Sequence, residues 1–175
     1  MKSRLMVVAG VAFMLASAVS AQTKFSGTAQ CAKPDPNYTI EVGDQPGHTY
    51  TLEKDSCKWT SGTEINGLKI GDDNGVGTGE GWATKMTSSG SRVATMDNGD
   101  KMFVSTKDST PVKDKMPTNI AGTFTITGGT GKLKGIKGHG TYKVTPAADG
   151  TASVTIDGEY TMPAPAAPKA KPAAK

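Results

Sequence analysis

Phe124-Thr-Ile-Thr-Gly-Gly-Thr-Gly-Lys-Leu-Lys-Gly-Ile-Lys-Gly-His-Gly-Thr-Tyr142 decides the fold of this chain. Phe124 and Ile126 alternate with Thr123, Thr125 and Thr127, and a Gly-Gly-Thr-Gly turn follows at 128–131. From Lys134 onward, Ile136, Gly138, Gly140, Tyr142 and Val144 share one face. After Asp149-Gly150 turns the chain, Ala152, Val154, Ile156, Gly158 and Tyr160 share the next. Strict alternation with period two is the mark of strands with one buried side. Glycines on that buried side remove side chains where curvature is tight, as in the interior of a closed barrel.

The same period extends toward the N-terminus. Phe25, Gly27, Ala29 and Cys31 alternate with Ser26, Thr28 and Gln30, and Pro34-Asp-Pro-Asn37 ends the run. Further strands are expected near Tyr38–Val42, His48–Lys54, Cys57–Trp59 and Glu64–Ile70, and from Gly77 to Thr84. Gly71-Asp-Asp-Asn-Gly75 has the composition of a turn. Asn98-Gly99, between Arg92–Asp97 and Asp100–Thr106, predicts a type I′ hairpin, because both residue types tolerate positive φ. Residues 107–119, with Pro111, Pro117 and charged groups, are expected to form a loop. Eight or nine closely spaced strands with no helical period between them predict an all-β fold, an antiparallel closed or nearly closed barrel of about eight strands.

Composition agrees once the two ends are set aside. The chain has 175 residues and a formal charge of +4, but residues 22–162 hold 15 Lys/Arg against 16 Asp/Glu. The basic excess therefore sits at the termini, which excludes the basic surface of a nucleic-acid-binding domain. Only Leu52, Leu68 and Leu133 remain in that middle segment, too few for the apolar stripes of packed helices.

Met1-Lys-Ser-Arg4, the apolar run Leu5–Val19 and the small residues Ser17-Ala-Val-Ser-Ala21 have the pattern of a signal peptide cut after Ala21. The run of 15 residues is short of the roughly 20 that span a bilayer. Residues 1–21 are thus expected to direct export, periplasmic or secreted, and 22–162 to form the barrel domain. Residues 163–175, Pro-, Ala- and Lys-rich with no large apolar side chain, are expected to be a disordered tail able to touch anionic envelope polymers weakly. In an oxidising compartment Cys31 and Cys57 are expected to form a disulfide. Neither CxxC spacing nor a nearby His favours a metal pair or a nucleophile.

The stretch quoted first, together with Gly79-Glu-Gly-Trp82 and Asn98-Gly-Asp-Lys-Met-Phe103, resembles a bacterial family related to allene oxide cyclase, over about residues 75–160. The resemblance implies an eight-stranded, lipocalin-like barrel. In the plant enzymes such a barrel encloses an allene oxide and uses a carboxylate and a positioned water rather than a metal. The sequence offers Glu80 and Glu64 as carboxylates on predicted strands, and Glu80, flanked by Gly79 and Gly81, is the candidate catalytic residue.

Other motifs fail on spacing. In Asp72-Asp-Asn-Gly75, the fifth position of a calcium loop falls on Val76. Gly128-Gly-Thr-Gly-Lys132 is followed by Leu133 where a phosphate loop needs Ser or Thr. His48 and His139 have no further ligands at metal spacing, so no metal site and no cofactor is expected. Trp59, Trp82, Tyr142 and Tyr160 are the candidate pocket lining, with a side-chain plug as the alternative. The leading expectation is a non-catalytic exported barrel that takes a small apolar or amphipathic ligand. The runners-up are an allene oxide cyclase-type isomerase and a purely structural or interaction protein of the envelope.

Overall fold

The structure, a computed structural model, describes residues 21–62, 64–113 and 116–164. Residues 1–20 of the expected signal peptide and 165–175 of the expected tail lie outside the described residues. Within them the strands are β1 (Thr23–Cys31), β2 (Asn37–Glu41), β3 (Thr49–Ser61), β4 (Glu64–Ile65), β5 (Leu68–Gly81), β6 (Lys85–Met96), β7 (Lys101–Lys113), β8 (Met116–Pro117), β9 (Ile120–Gly129), β10 (Lys137–Pro146) and β11 (Ala152–Thr161). Eight of them follow one another as β1-β11-β10-β9-β7-β6-β5-β3, and β3 returns to β1, all antiparallel. This is a closed eight-stranded barrel. β2 extends the sheet along β3, while β4 and β8 are short partners of β5 and β7.

The glycines on the inward face have a specific use. Phe124, Gly140, Gly158 and Phe25 stand in one cross-strand row over β9, β10, β11 and β1. The two rings meet above the two glycines with centroids 5.9 Å apart. A Cβ on Gly140 would lie 2.5 Å from the Phe124 ring and 2.3 Å from the Asp157 carbonyl oxygen; one on Gly158 would lie 2.6 Å from the same ring. The missing side chains make the room into which the aromatics fold.

These rings belong to an apolar plug that fills one end of the barrel. Ile65, Leu68 and Ile70 approach from β4 and β5, Met96 and Met102 from the β6–β7 hairpin, and Ile126 and Tyr160 from β9 and β11. A single 3-10 turn, Gly131–Leu133, brings Leu133 and then Ile136 beneath them. Ile65, Leu133 and Ile136 are fully buried, so this end is sealed. The backbone N–H of Asn66 donates to the Tyr160 hydroxyl at 2.8 Å, which satisfies the one polar atom that tyrosine carries into the plug.

Three local expectations are corrected. Residues 71–75 are not a turn but the middle of β5, where a bulge between Ile70 and Asp73 re-aims Asp73 inward. The expected loop at 107–119 is largely strand: β7 continues to Lys113, and Pro111 is tolerated because β7 has by then passed the end of its ladder with β9. The Asn98-Gly99 hairpin forms, but only Gly99 has positive φ. The Gly99 N–H bonds to the Met96 carbonyl, giving a longer connection in which Asn98 Oδ1 accepts the Asp100 N–H at 3.0 Å. The turn with both central residues at positive φ is Asn66-Gly67, at 53° and 73°, between β4 and β5.

Candidate functional site

Beyond the phenylalanine row the inward positions become polar. Arg92 on β6 reaches across Gly75 of β5, where a Cβ would lie 2.6 Å from its Nη1. The arginine Nε donates to both oxygens of Asp73 at 3.1 and 3.2 Å. Its Nη1 donates to Asp55 on β3 at 2.9 Å, and its Nη2 lies 3.2 Å from the Cys57 sulfur. Cys57 is bonded to Cys31 directly across the β1–β3 ladder, so the expected disulfide is present. Burial would lower the Arg92 pKa, but Asp73 and Asp55 outweigh it and hold the guanidinium above its ordinary value. Burial raises Asp73, and Arg92 only partly offsets this. Arg92 is thus committed to the protein's own carboxylates.

A second polar group faces the first. Asp108 on β7 accepts hydrogen bonds from the Ser88 hydroxyl, from the Tyr142 hydroxyl at 2.8 Å and from the fully buried Thr110 at 3.2 Å. The Tyr142 ring lies over Gly122. Burial, and then the Asp108 carboxylate, push the Tyr142 phenol well above its ordinary range. On β3, Glu53 is raised by burial and further by the carboxylates of Asp55 and Asp108. Its side-chain partner is the Asn37 amide, at 3.4 Å. Among the described residues no Lys or Arg forms an ion pair with Glu53 or Asp108. The polar half of the lumen therefore combines one neutralised guanidinium, a triply hydrogen-bonded carboxylate, a second carboxylate that burial biases toward its neutral form, and hydroxyl donors. It can take hydrogen bonds from a ligand and exchange protons with it.

The residues singled out from the sequence are not brought together. Tyr160 belongs to the plug and Tyr142 to the lumen wall. Trp59 packs against the apolar cluster from β3. Trp82 lies past the end of β5, stacked on His48 with centroids 5.5 Å apart. Glu80 alternates with the buried Gly79 and Gly81 and so faces the outside of the barrel. There it accepts from the Tyr50 hydroxyl at 2.8 Å and lies 3.0 Å from His48 Nε2, while His48 Nδ1 lies 2.7 Å from Asp44. Hydrogen bonds to Asp44 and then to Glu80 raise the His48 pKa. Glu64 is exposed on the two-residue strand β4. His139, on another outer surface, sits 3.3 Å from Glu159.

Arg92, Asp55, Asp73 and Asp108 escape sequence reading, although parity could have found two of them. Arg92 keeps step with the buried Ala94 and Met96, and Asp108 with Met102 and Val104. A charge in the apolar phase of a strand points inward.

No protein-family model matches the sequence, and no curated protein matches it either. Solved structures do share its fold. The pterocarpan synthase dirigent protein GePTS1 is 16% identical with a TM-score of 0.52, over 88% of this chain and 98% of that one. A protein of unknown function from the DUF3224 family of Shewanella oneidensis MR-1 is 13% identical with a TM-score of 0.51, over 82% and 100%. At such identities the likeness shows the fold alone, an eight-stranded barrel of the kind that the sequence resemblance implies.

Proposed function

We propose that this is an exported, non-catalytic binding protein whose barrel holds one small amphipathic molecule, its polar end among Asp108, Tyr142 and Glu53. The observation that carries the reading is the Asp108 group. A carboxylate held by three hydroxyls inside a barrel, with no ion pair among the described residues, is a pre-organised acceptor. The apolar plug supplies the other half of the contrast, since Phe124 lies one inward position from Gly122, the partner of Asp108 in the β7–β9 ladder. Export rests on the N-terminal pattern, and the Cys31–Cys57 bond is compatible with an oxidising compartment. Native mass spectrometry of gently extracted protein should show a bound small molecule. Asp108→Asn, which keeps the shape and removes the charge, should weaken recapture of that molecule at least tenfold, because hydrogen bonds to charged groups contribute about 1.5–3 kcal/mol. Extracts that yield no ligand, followed by a fluorescent-lipid displacement screen with no hit, overturn the reading.

A second reading, an allene oxide cyclase-type isomerase, draws support from the same lumen carboxylates, since a buried acid can stabilise developing positive charge. Its test is the chirality of the cyclopentenone formed from freshly generated allene oxide. An enantiomeric excess that vanishes in Asp108→Asn, or in Glu80→Gln if the outer carboxylate acts, establishes it. A racemic product overturns it.

A further inference from the structure

β2 is anomalous in a chain so poor in large apolar residues. All five of its residues are exposed, Tyr38 at 59% and Ile40 at 67%. The exposed apolar surface continues onto Tyr50 and Leu52, their partners in the β2–β3 ladder, and onto Val42 just beyond. Exposed apolar patches of this kind mark interaction surfaces.

The same strand presents a free backbone edge, along which a second strand would extend this apolar face. Among the described residues β2 ends the strand order and pairs only with β3. The Lys54 N–H bonds to the Pro36 carbonyl and the Val42 N–H to the His48 carbonyl, each at 3.0 Å. In an antiparallel ladder these two bonds fix the alternation. The backbone groups of Tyr38 and Ile40 face β3, and those of Asn37, Thr39 and Glu41 point away from the sheet.

We propose that this edge pairs with the same edge of a second copy, about a two-fold axis through Thr39. In that register Thr39 faces Thr39 of the other copy and exchanges both backbone hydrogen bonds. Asn37 faces the other copy's Glu41, so an amide meets a carboxylate and no like charges meet. Tyr38 and Ile40 then form two symmetric cross-strand pairs of an aromatic with a β-branched residue, a favourable combination at the closely spaced positions. The contact is self-complementary, as a two-fold dimer requires. One edge therefore continues into the other as a single sheet joining two barrels.

The test uses Thr39→Pro. The Thr39 N–H takes no part in the β2–β3 ladder, and proline is tolerated at such an outward edge position. Sedimentation equilibrium on the purified protein should give the mass of two chains for the wild type. It should give the mass of one chain for Thr39→Pro, with unchanged far-UV circular dichroism. Ile40→Lys, on an already exposed side chain, should do the same if the proline variant does not fold. A wild type that stays at one-chain mass up to its solubility limit overturns the proposal. So does a dimer that survives both substitutions, or a one-chain wild type that co-sediments with phosphatidylglycerol vesicles, which would assign the face to a membrane surface instead.

Discussion

Arg92→Met should destabilise the barrel by about 3 kcal/mol or more at neutral pH, the cost of leaving buried carboxylates without their counter-charge. Asp73 is only 8% exposed, and Arg92 is the cation for both Asp73 and Asp55. Methionine fills much of the space, so the loss is electrostatic rather than a cavity effect. The pH dependence has a definite sign. Burial already raises the folded pKa of Asp73, and removing the guanidinium raises it further. A carboxyl whose folded pKa exceeds its unfolded value costs stability when ionised and regains it as pH falls through the folded value. The gap between variant and wild type should therefore narrow on acidification from neutral pH. Urea denaturation at neutral and mildly acidic pH measures both quantities. A neutral-pH loss below about 1 kcal/mol, within the range of an exposed pair, would show that solvent already screens the cluster.

Removing the Cys31–Cys57 bond should cost a similar amount. The two residues are 26 apart in sequence, and closing a loop of that length restricts the unfolded chain by about 3.5 kcal/mol in the entropy model. For a domain of this size the melting temperature should fall by about 10 °C. The Cys31→Ala/Cys57→Ala variant should also weaken the neighbouring network, because the Cys57 sulfur lies 3.2 Å from Arg92 Nη2. Combined with Arg92→Met, the losses should depart from additivity, as expected of groups in contact. Thermal unfolding of the four proteins in this cycle tests the point. Strict additivity would separate the disulfide from the ion cluster.

Much of the barrel was legible in the sequence, and the reasons for the rest are particular. The last third reads correctly because each of its strands is set by local alternation: Phe124 and Ile126 against threonines, then Gly138, Gly140 and Tyr142 on one face. Asp72-Asp-Asn-Gly75 misleads because its composition is that of a turn, while its conformation is set by Arg92, 19 residues beyond Asp73. Residues 107–113 mislead similarly: Asp108 looks solvated until Tyr142, 34 residues away, is placed above it. Parity marks Arg92 and Asp108 as inward, but what each of them holds is legible only through partners that the fold brings. The four aromatic residues went to three places, Tyr160 and Trp59 to the apolar plug, Tyr142 to Asp108 and Trp82 to His48, because aromatic composition does not say which partner a ring will meet.

Ile65, Leu133 and Ile136, all fully buried, close one end of the barrel, so a ligand held as proposed above enters from the other. Under the binding reading, arrival and departure share a single rim, and a newcomer cannot push the occupant out from behind. Exchange is then first-order in the loaded protein, its rate set by how long the occupant stays rather than by how much competitor is present. Under that reading the barrel suits carriage or storage rather than passage.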